Sequence, residues 1–370
     1  MWEQLFDKSI LFIQLYVDFI TNLFYMSKVK VGINGFGRIG RALMRIAHNH
    51  PDFEIVAINT RSSDPKMLAY LLKHDSLYRT FDQKIDYGEG FISINDRKIV
   101  CTSFGKPGEI PWSDSGVEVV VDATGAFTLS QDLHDHVRGS VKKVVLTCPA
   151  KDKEIPDFVI GVNVPVDGVN NTLRNAEIIS NASCTTNCVT PMLKVLDDAF
   201  GVHSGFLTTT HAYTATQSLL DEANKEPNRS RAAAMSIIPT TTGAAKAVSS
   251  VMPHLAGKID GMALRVPVPV VSFIDLTVTI NQPTTIDEVN KLFKIASEEE
   301  MAGVMGYSTE ELVSCDFIGN THSCIFDMNY TKIFGLEQNN IRVFGWYDNE
   351  WGYANRVADL VKKCCDVINS

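Results

Sequence analysis

The chain has 370 residues, 45% of them hydrophobic and 21% charged, with a formal net charge of −9. Such a length accommodates two domains with separate cores, the composition excludes a disordered or fibrous chain, and the acidity excludes a global basic field that would draw the protein to nucleic acid. An acidic chain that binds anions must do so locally, with placed arginines and backbone N–H groups. The cysteines (101, 148, 184, 188, 315, 324, 364, 365) fall in neither metal-ligand pairs nor a disulfide framework. That predicts a reducing, cytoplasmic setting and no metal.

Residues 1–27 form an extension rich in Phe, Leu, Ile and Tyr, interrupted by Glu3, Asp7, Lys8 and Asp18. The acids make it a poor membrane span, and it lacks the basic start and cleavage site of a signal peptide. Met26 offers a second start directly before a strand, so the stretch reads as a mis-called start or a dispensable extension. The alternative is an amphipathic docking helix, with Trp2, Leu5, Phe6, Ile10, Ile13 and Val17 along one side.

Lys28–Asn34 alternates as a strand and runs into Gly35-Phe36-Gly37-Arg38-Ile39-Gly40, after which Arg41–His50 continues as a helix. A second strand follows at Phe53–Asn59. In that setting G-x-G-x-x-G marks a dinucleotide site: Gly35 permits the tight turn, Gly37 admits the pyrophosphate, and Gly40 packs helix on strand. An NAD site asks for a carboxylate at the end of the second strand, but this chain reads Asn59-Thr60-Arg61-Ser62-Ser63-Asp64-Pro65. Asp64, before a proline suited to the first helical position, reads as a helix cap. Thr60, Arg61 and Ser62 therefore predict that a 2′-phosphate is accepted, and that NADP is preferred to NAD. Ile85–Thr102 reads as an antiparallel insertion. Val117–Asp122 and Lys143–Thr147 read as further strands, separated by a helical stretch, and Thr124 and Thr147 lie just past their carboxyl ends, where ligands bind in parallel sheets.

Ile178–Ser180 is an apolar run that leads through Asn181-Ala182-Ser183 to Cys184, and a helical pattern extends to residue 200. A lone cysteine is most often a small core residue. This one is flanked by hydroxyls and an amide at a helix start, where the dipole and unpaired N–H groups lower a thiol's pKa. His211 closes a strand amid threonines and supplies a base for a Cys–His pair. Residues 218–236 lack periodicity, which predicts a functional loop. Thr242-Gly243 opens another helix and a second anion site, and Arg265 is the lone cation of an apolar strand, needing a carboxylate or a bound phosphate as partner.

Three motifs together resemble phosphorylating glyceraldehyde-3-phosphate dehydrogenase: Gly32–Gly40, Ser180-Asn181-Ala182-Ser183-Cys184-Thr185-Thr186-Asn187, and Trp346-Tyr347-Asp348-Asn349-Glu350. The resemblance covers about Lys28–Lys363. It implies an α/β chain with a Rossmann-type doubly wound cofactor domain (28–183 with 350–370) and an α+β catalytic domain (184–349) on a mixed or antiparallel sheet. It further implies Cys184 as nucleophile, His211 as its base, Asn349 at the nicotinamide carboxamide, and Arg38 and Ile39 at the cofactor diphosphate. Thr214 and Arg265 would hold the substrate phosphate, with Ser183, Thr185, Arg229, Thr242 and Gly243 as further substrate and inorganic-phosphate contacts. The substrate would be glyceraldehyde 3-phosphate, and the assembly a homotetramer in which the 213–236 loop packs near a neighbour's cofactor. Two departures from the NAD-using pattern, Thr60 for the acid and Ala223 for a loop proline, point the same way, toward NADP.

Two rivals stand beside this reading. Erythrose-4-phosphate dehydrogenase differs in its phosphate-site motifs, and the His211–Thr214 and Thr242–Lys246 runs favour the glyceraldehyde enzyme. A non-catalytic binding protein on the same scaffold sits poorly with an intact Cys184, His211 and two anion sites.

Overall fold

The computed structural model describes residues 28–61 and 64–370. The expectations for residues 1–27 and for Ser62 lie outside the described residues.

Two mixed sheets organise the chain. The first contains β1 (Val29–Asn34), β2 (Phe53–Asn59), β3 (Ile85–Gly88), β4 (Phe91–Ile94), β5 (Arg97–Thr102), β6 (Val119–Asp122), β7 (Lys143–Leu146) and β8 (Ile178–Ser180), in the order β8-β7-β6-β1-β2-β5-β4-β3. Its central strands are nearly continuous runs of Val and Ile because both faces are covered, and β6 and β7 are buried at every residue. The expected insertion at 85–102 is instead an extension of this sheet. β3, β4 and β5 pair antiparallel among themselves, while β5 pairs in parallel with β2. The strand order reverses between β1 and β6, so a crevice opens beyond Asn34 and Asp122, where doubly wound sheets bind ligands.

Helix α1 (Arg38–Ala47) starts three residues earlier than its sequence pattern suggested, with Gly37 as N-cap and no side chain capping it. Its first N–H groups thus stay available at the crevice. Helix α2 (Pro65–Lys73) begins with Pro65, and Asp64 caps it by accepting a bond from Lys66 N at 3.1 Å, as the sequence indicated. The helical stretch between β6 and β7 amounts to the short α3 (Ser130–His134), and α4 (Asn171–Asn175) precedes β8.

The second sheet holds β9 (Val202–Ala212), β10 (Ile238–Thr241), β11 (Ile259–Val266), β12 (Ser272–Ile280), β13 (Met305–Ser308), β14 (Cys324–Asp327), β15 (Lys332–Phe334) and β16 (Asn340–Tyr347). The order is β10-β11-β9-β12-β16-β14-β13, with β15 beside β16. Only the β9–β11 and β13–β14 pairs are parallel. Helices α5 (Cys184–Phe200), α6 (Ala244–Val251) and α7 (Ile286–Glu298) are the other elements of this half, and α5 lies on β12, β14 and β16. The final helix α8 (Trp351–Ile368) returns to the first half and packs against α1, β6 and β7. One apolar core runs through both sheets, from Val31 and Val121 through Val189, Met192 and Leu193 to Val343 and Val357. Among the described residues no helix is long and apolar enough to cross a membrane.

Candidate active site

The start of α5 is set by Ser183, whose extended backbone and hydroxyl cap the helix by accepting from Thr186 N at 3.0 Å. Ala182 turns through a left-handed conformation just before it (φ 51°). Cys184 is consequently the first helical residue, and its Sγ lies 3.5 Å from His211 Nε2. His211 is the penultimate residue of β9, and the parallel register with β11 sets it opposite Arg265. Arg265 Nη1 is 2.6 Å from His211 Nδ1 and donates to Ala212 O at 2.9 Å, while Nδ1 is itself 2.7 Å from that carbonyl. Tyr347, fully buried at the end of β16, meets Thr185 Oγ1 at 3.0 Å and Thr209 Oγ1 at 2.8 Å, and sets its ring edgewise on His211. The hydroxyl of Thr185 therefore faces the core, and that of Ser183 accepts the cap bond. The turn offers backbone N–H groups, and because the cap uses only a lone pair of the Ser183 oxygen, that hydroxyl keeps its own hydrogen.

The electrostatics correct one expectation. Burial pushes the Cys184 thiol above its ordinary value, and the Arg265 charge, the Thr185 hydroxyl and the N–H groups of Cys184 and Thr185 offset this only in part. The helix start works in the expected direction, and desolvation outweighs it. Burial likewise holds His211 down, to about 3, helped by the charges of Arg265 and Arg229. Burial thus acts against the charged form of both members of the pair, and a proton moving between them leaves an ion pair that the two groups stabilise mutually.

Arg265 answers the question its sequence position raised. No carboxylate pairs with it among the described residues, its Nε is buried without a partner, and burial lowers its pKa. Arg229 adds a second positive charge that acts on both His211 and Arg265, although Glu226 Oε2 holds its own Nε at 2.9 Å. Arg229 also bonds Thr240, two residues before Thr242, whose hydroxyl accepts from Ala244 N as Gly243 leads into α6. Thr214 follows His211 by three residues and pairs its hydroxyl with Thr216 at 3.0 Å. Glu226 thus offsets part of the positive charge here, while Arg265 has no ion-pair partner of its own among the described residues.

At the sheet crevice, Gly35 adopts φ 96°, and a Cβ there would sit 2.8 Å from the Ala123–Thr124 backbone. A Cβ at Gly40 would collide with Gly35 O, whereas Gly37 faces open space. The three glycines thus divide turn, approach and packing as their spacing implied. Beneath them lies a buried network. Asp122 accepts from Asn34 Nδ2 at 2.8 Å and from Thr124 N and Oγ1, and His136 Nε2 is 3.3 Å away; Asn34 in turn accepts from Asn59. A cavity of about 270 Å³ opens above it, lined by Gly35, Gly37, Thr60, Arg61 and Thr124 among others. Thr60 is half-buried and Arg61 exposed at its rim. Thr147 follows β7, its backbone N–H donating to Asp122 O. Asn349 joins the two sites: Ala212 N donates to Ser272 Oγ, which donates to Asn349 Oδ1 at 2.9 Å. That fixes the Asn349 amide with its NH2 directed elsewhere.

Family models match both halves of the chain: the glyceraldehyde 3-phosphate dehydrogenase NAD binding domain over residues 29–130, and the C-terminal domain of the same enzyme over 183–349. Glyceraldehyde-3-phosphate dehydrogenase 1 of Bacillus cereus is 48% identical over 332 residues, covering 90% of this chain and 97% of that protein. The chain belongs to the glyceraldehyde-3-phosphate dehydrogenase family. The second such enzyme of Bacillus subtilis is 45% identical over 338 residues (90% of this chain, 96% of that protein), and a chloroplastic one of Arabidopsis thaliana is 44% identical over 337 residues (90% and 78%).

As a glyceraldehyde-3-phosphate dehydrogenase, the protein oxidises glyceraldehyde 3-phosphate to 1,3-bisphosphoglycerate, reversibly, with NAD or NADP. The residues fit a dinucleotide, since Gly37 leaves open space before an uncapped helix start. The Arg38 side chain is not free for a ligand. Its guanidinium is committed to Glu350, at 2.5 and 2.9 Å, and to Asp75, and these acids hold its pKa up against burial. Sequence reasoning missed Tyr347, Ser272 and the Asp122–Asn34–Asn59 network. Tyr347 lies inside the third motif and Asn34 inside the first; nothing local in the sequence marks Ser272, Asn59 or Asp122 for this role.

Proposed function

We propose that Cys184 is the nucleophile of the dehydrogenase and His211 the base that serves it, with Arg265 and Thr214 at the substrate phosphate and Arg229, Thr242 and Gly243 at the inorganic phosphate. The observation that carries this reading is the 3.5 Å Sγ–Nε2 contact at a helix start, flanked by two arginines of which one has no acidic partner. In this mechanism the aldehyde carbon is attacked by Cys184 Sγ as the thiol proton passes to His211 Nε2. The oxyanion of the hemithioacetal is met by the Cys184 N–H and by the imidazolium. Nε2–H then protonates this oxyanion, and the return of that hydroxyl proton to Nε2 accompanies oxidation to the thioester. The bound nicotinamide supplies the hydride-accepting chemistry, and Asn349, held by Ser272, orients its carboxamide. Phosphate finally attacks the thioester and Sγ leaves.

Three further parts of the proposal rest on separate features. NADP is preferred, because Thr60 removes the acid that repels a 2′-phosphate, Arg61 adds a cation at the rim, and Asp64 is occupied as a cap. The cofactor unit comprises residues 28–183 with 350–370 and the catalytic unit 184–349, in a cytoplasmic homotetramer. Support for assembly comes from Leu219, Leu220, Met235 and Ile237, each more than two-thirds exposed on the 213–237 segment, since apolar groups concentrated this way mark an interface.

Cys184→Ser tests the central assignment. With glyceraldehyde 3-phosphate, cofactor and no inorganic phosphate, wild type should accumulate an acyl adduct on the tryptic peptide carrying Cys184. The variant should show neither adduct nor burst of reduced cofactor. An undiminished burst in the variant removes Cys184 from the reaction.

A further inference from the structure

Asn349 is held by its chain neighbours on both sides as well as by its own amide, which Ser272 fixes. Both neighbours are carboxylates, and each is tied to the first half of the molecule. Glu350 accepts the Arg38 guanidinium as a fork, at 2.9 Å from Nε and 2.5 Å from Nη2. Asp348 is fully buried and accepts from Tyr78 Oη at 2.8 Å, as well as from Gly319 N, Glu350 N and Trp351 N. Arg38 and Tyr78 are themselves joined. Arg38 Nη1 reaches one oxygen of Asp75, whose other oxygen accepts from Leu77 N and Tyr78 N. The guanidinium also lies 5.5 Å from the centre of the Tyr78 ring.

Arg38 is the first residue of α1, the helix start whose N–H groups stay uncapped at the crevice. One residue thus has its backbone at the diphosphate end of the site and its side chain on the neighbour of Asn349. A partly buried ion pair is weak evidence of stabilisation, since apolar side chains of similar volume would hold the two halves together as well. What a guanidinium fork adds is a fixed distance and orientation between the groups it joins.

We propose that Arg38, through Glu350, is a positioning residue for hydride transfer: it sets Asn349 relative to the diphosphate turn, so that the nicotinamide contact is in place before a dinucleotide is bound. The inference rests on the assignment of Asn349 to the nicotinamide carboxamide above. It goes beyond that assignment by giving the Arg38 side chain a part in the reaction while its guanidinium stays committed to two acids. Preorganisation of this kind lowers the cost of ordering the second end of a ligand and favours the reactive geometry. Loss of the fork should therefore harm the nicotinamide end more than the adenosine end.

The test compares ADP-ribose, which carries the diphosphate and lacks the nicotinamide, with the whole dinucleotide. Arg38→Lys replaces the fork by one point charge that cannot serve both Glu350 and Asp75 in the same way. Glu350→Gln keeps the shape, removes the charge and guards against misfolding of the lysine variant. By calorimetry, both variants should lose about three- to tenfold more affinity for NAD than for ADP-ribose, the span of one hydrogen bond. The same excess should appear with NADP against 2′-phospho-ADP-ribose. At saturating cofactor, the burst of reduced cofactor with glyceraldehyde 3-phosphate should slow about tenfold or more. The double variant should be no worse than the poorer single one, because a shared bond is lost only once. Equal losses for the two ligands, which a general loosening of the fold would give, overturn the proposal, as does an unchanged burst rate at saturation. Asn349→Ala separates the two levels. If it too loses NAD and ADP-ribose equally, the nicotinamide assignment is refuted; an excess loss of NAD there but not in the Arg38 and Glu350 variants refutes the tie alone.

Discussion

Thr60 sits at the carboxyl end of β2, where its backbone N–H bonds Thr102 O and its side chain borders the crevice. A carboxylate at that position would accept from a ribose 2′-OH and repel a 2′-phosphate. Thr60→Asp should therefore move the ratio of kcat/KM values for NADP and NAD toward NAD by tenfold or more, about 1.4 kcal/mol. Steady-state kinetics with each cofactor on both proteins gives the answer, and a wild type already favouring NAD tenfold would sink the NADP assignment. At this scale the sequence was informative about identities and silent about relations. Cys184 and His211 were each visible from their neighbours in the chain. That His211 would face Arg265, and that one carbonyl would be shared between them, depended on a strand register set by packing across the sheet. Burial also reversed the expected direction of the thiol's pKa, because helix-end effects are legible locally and desolvation is not.

Among the elements, the β1–α1 turn separates two demands placed on its glycines. Gly35 needs its left-handed backbone and has no room for a Cβ beside Ala123, so Gly35→Ala should lower stability by at least the ~1–3 kcal/mol typical of such strain. Gly37 has an ordinary φ of −75° and open space around it. Gly37→Ala should leave the denaturation midpoint nearly unchanged while raising KM for the cofactor. Urea titration alongside cofactor kinetics separates the pair, and equal loss of stability in both variants would contradict this division of labour. Strand and helix positions were readable wherever a period was strong, as at β2 and α5. The start of α1 was read late, since the pattern of apolar residues begins a turn after the cap. The 85–102 run looked like an insertion because alternation reveals a strand and not its neighbour, and β5 turned out to lie against β2.

For the whole molecule, His211 ties stability to pH. Its imidazole is held at about 3, below the ordinary 6.5, so between those values the unfolded chain binds a proton that the folded chain refuses. Stability is therefore full above about pH 6.5 and falls as the pH drops toward 3, by up to about 1.4 kcal/mol per unit from this group. His50 and His322, also lowered by burial, add slopes of the same sign. The Tm of wild type should fall more steeply than that of His211→Asn between about pH 6.5 and 4.5. Parallel curves would show that His211 titrates normally.

The return of α8 to the first half has a consequence in time. The first sheet is complete in sequence at Ser180, yet the helix that covers α1, β6 and β7 ends at Ile368, so about half the chain must still be synthesised before that face can close. At ~5–20 residues per second this interval is roughly 10–40 s. Throughout it the Val-rich strands and the inner side of α1 stand open at the ribosome, competent to pair but not yet sealed. The dinucleotide unit, first to be encoded, is thereby among the last to be finished, and a nascent chain released short of α8 would carry every glycine of the cofactor turn on a half-covered, association-prone sheet.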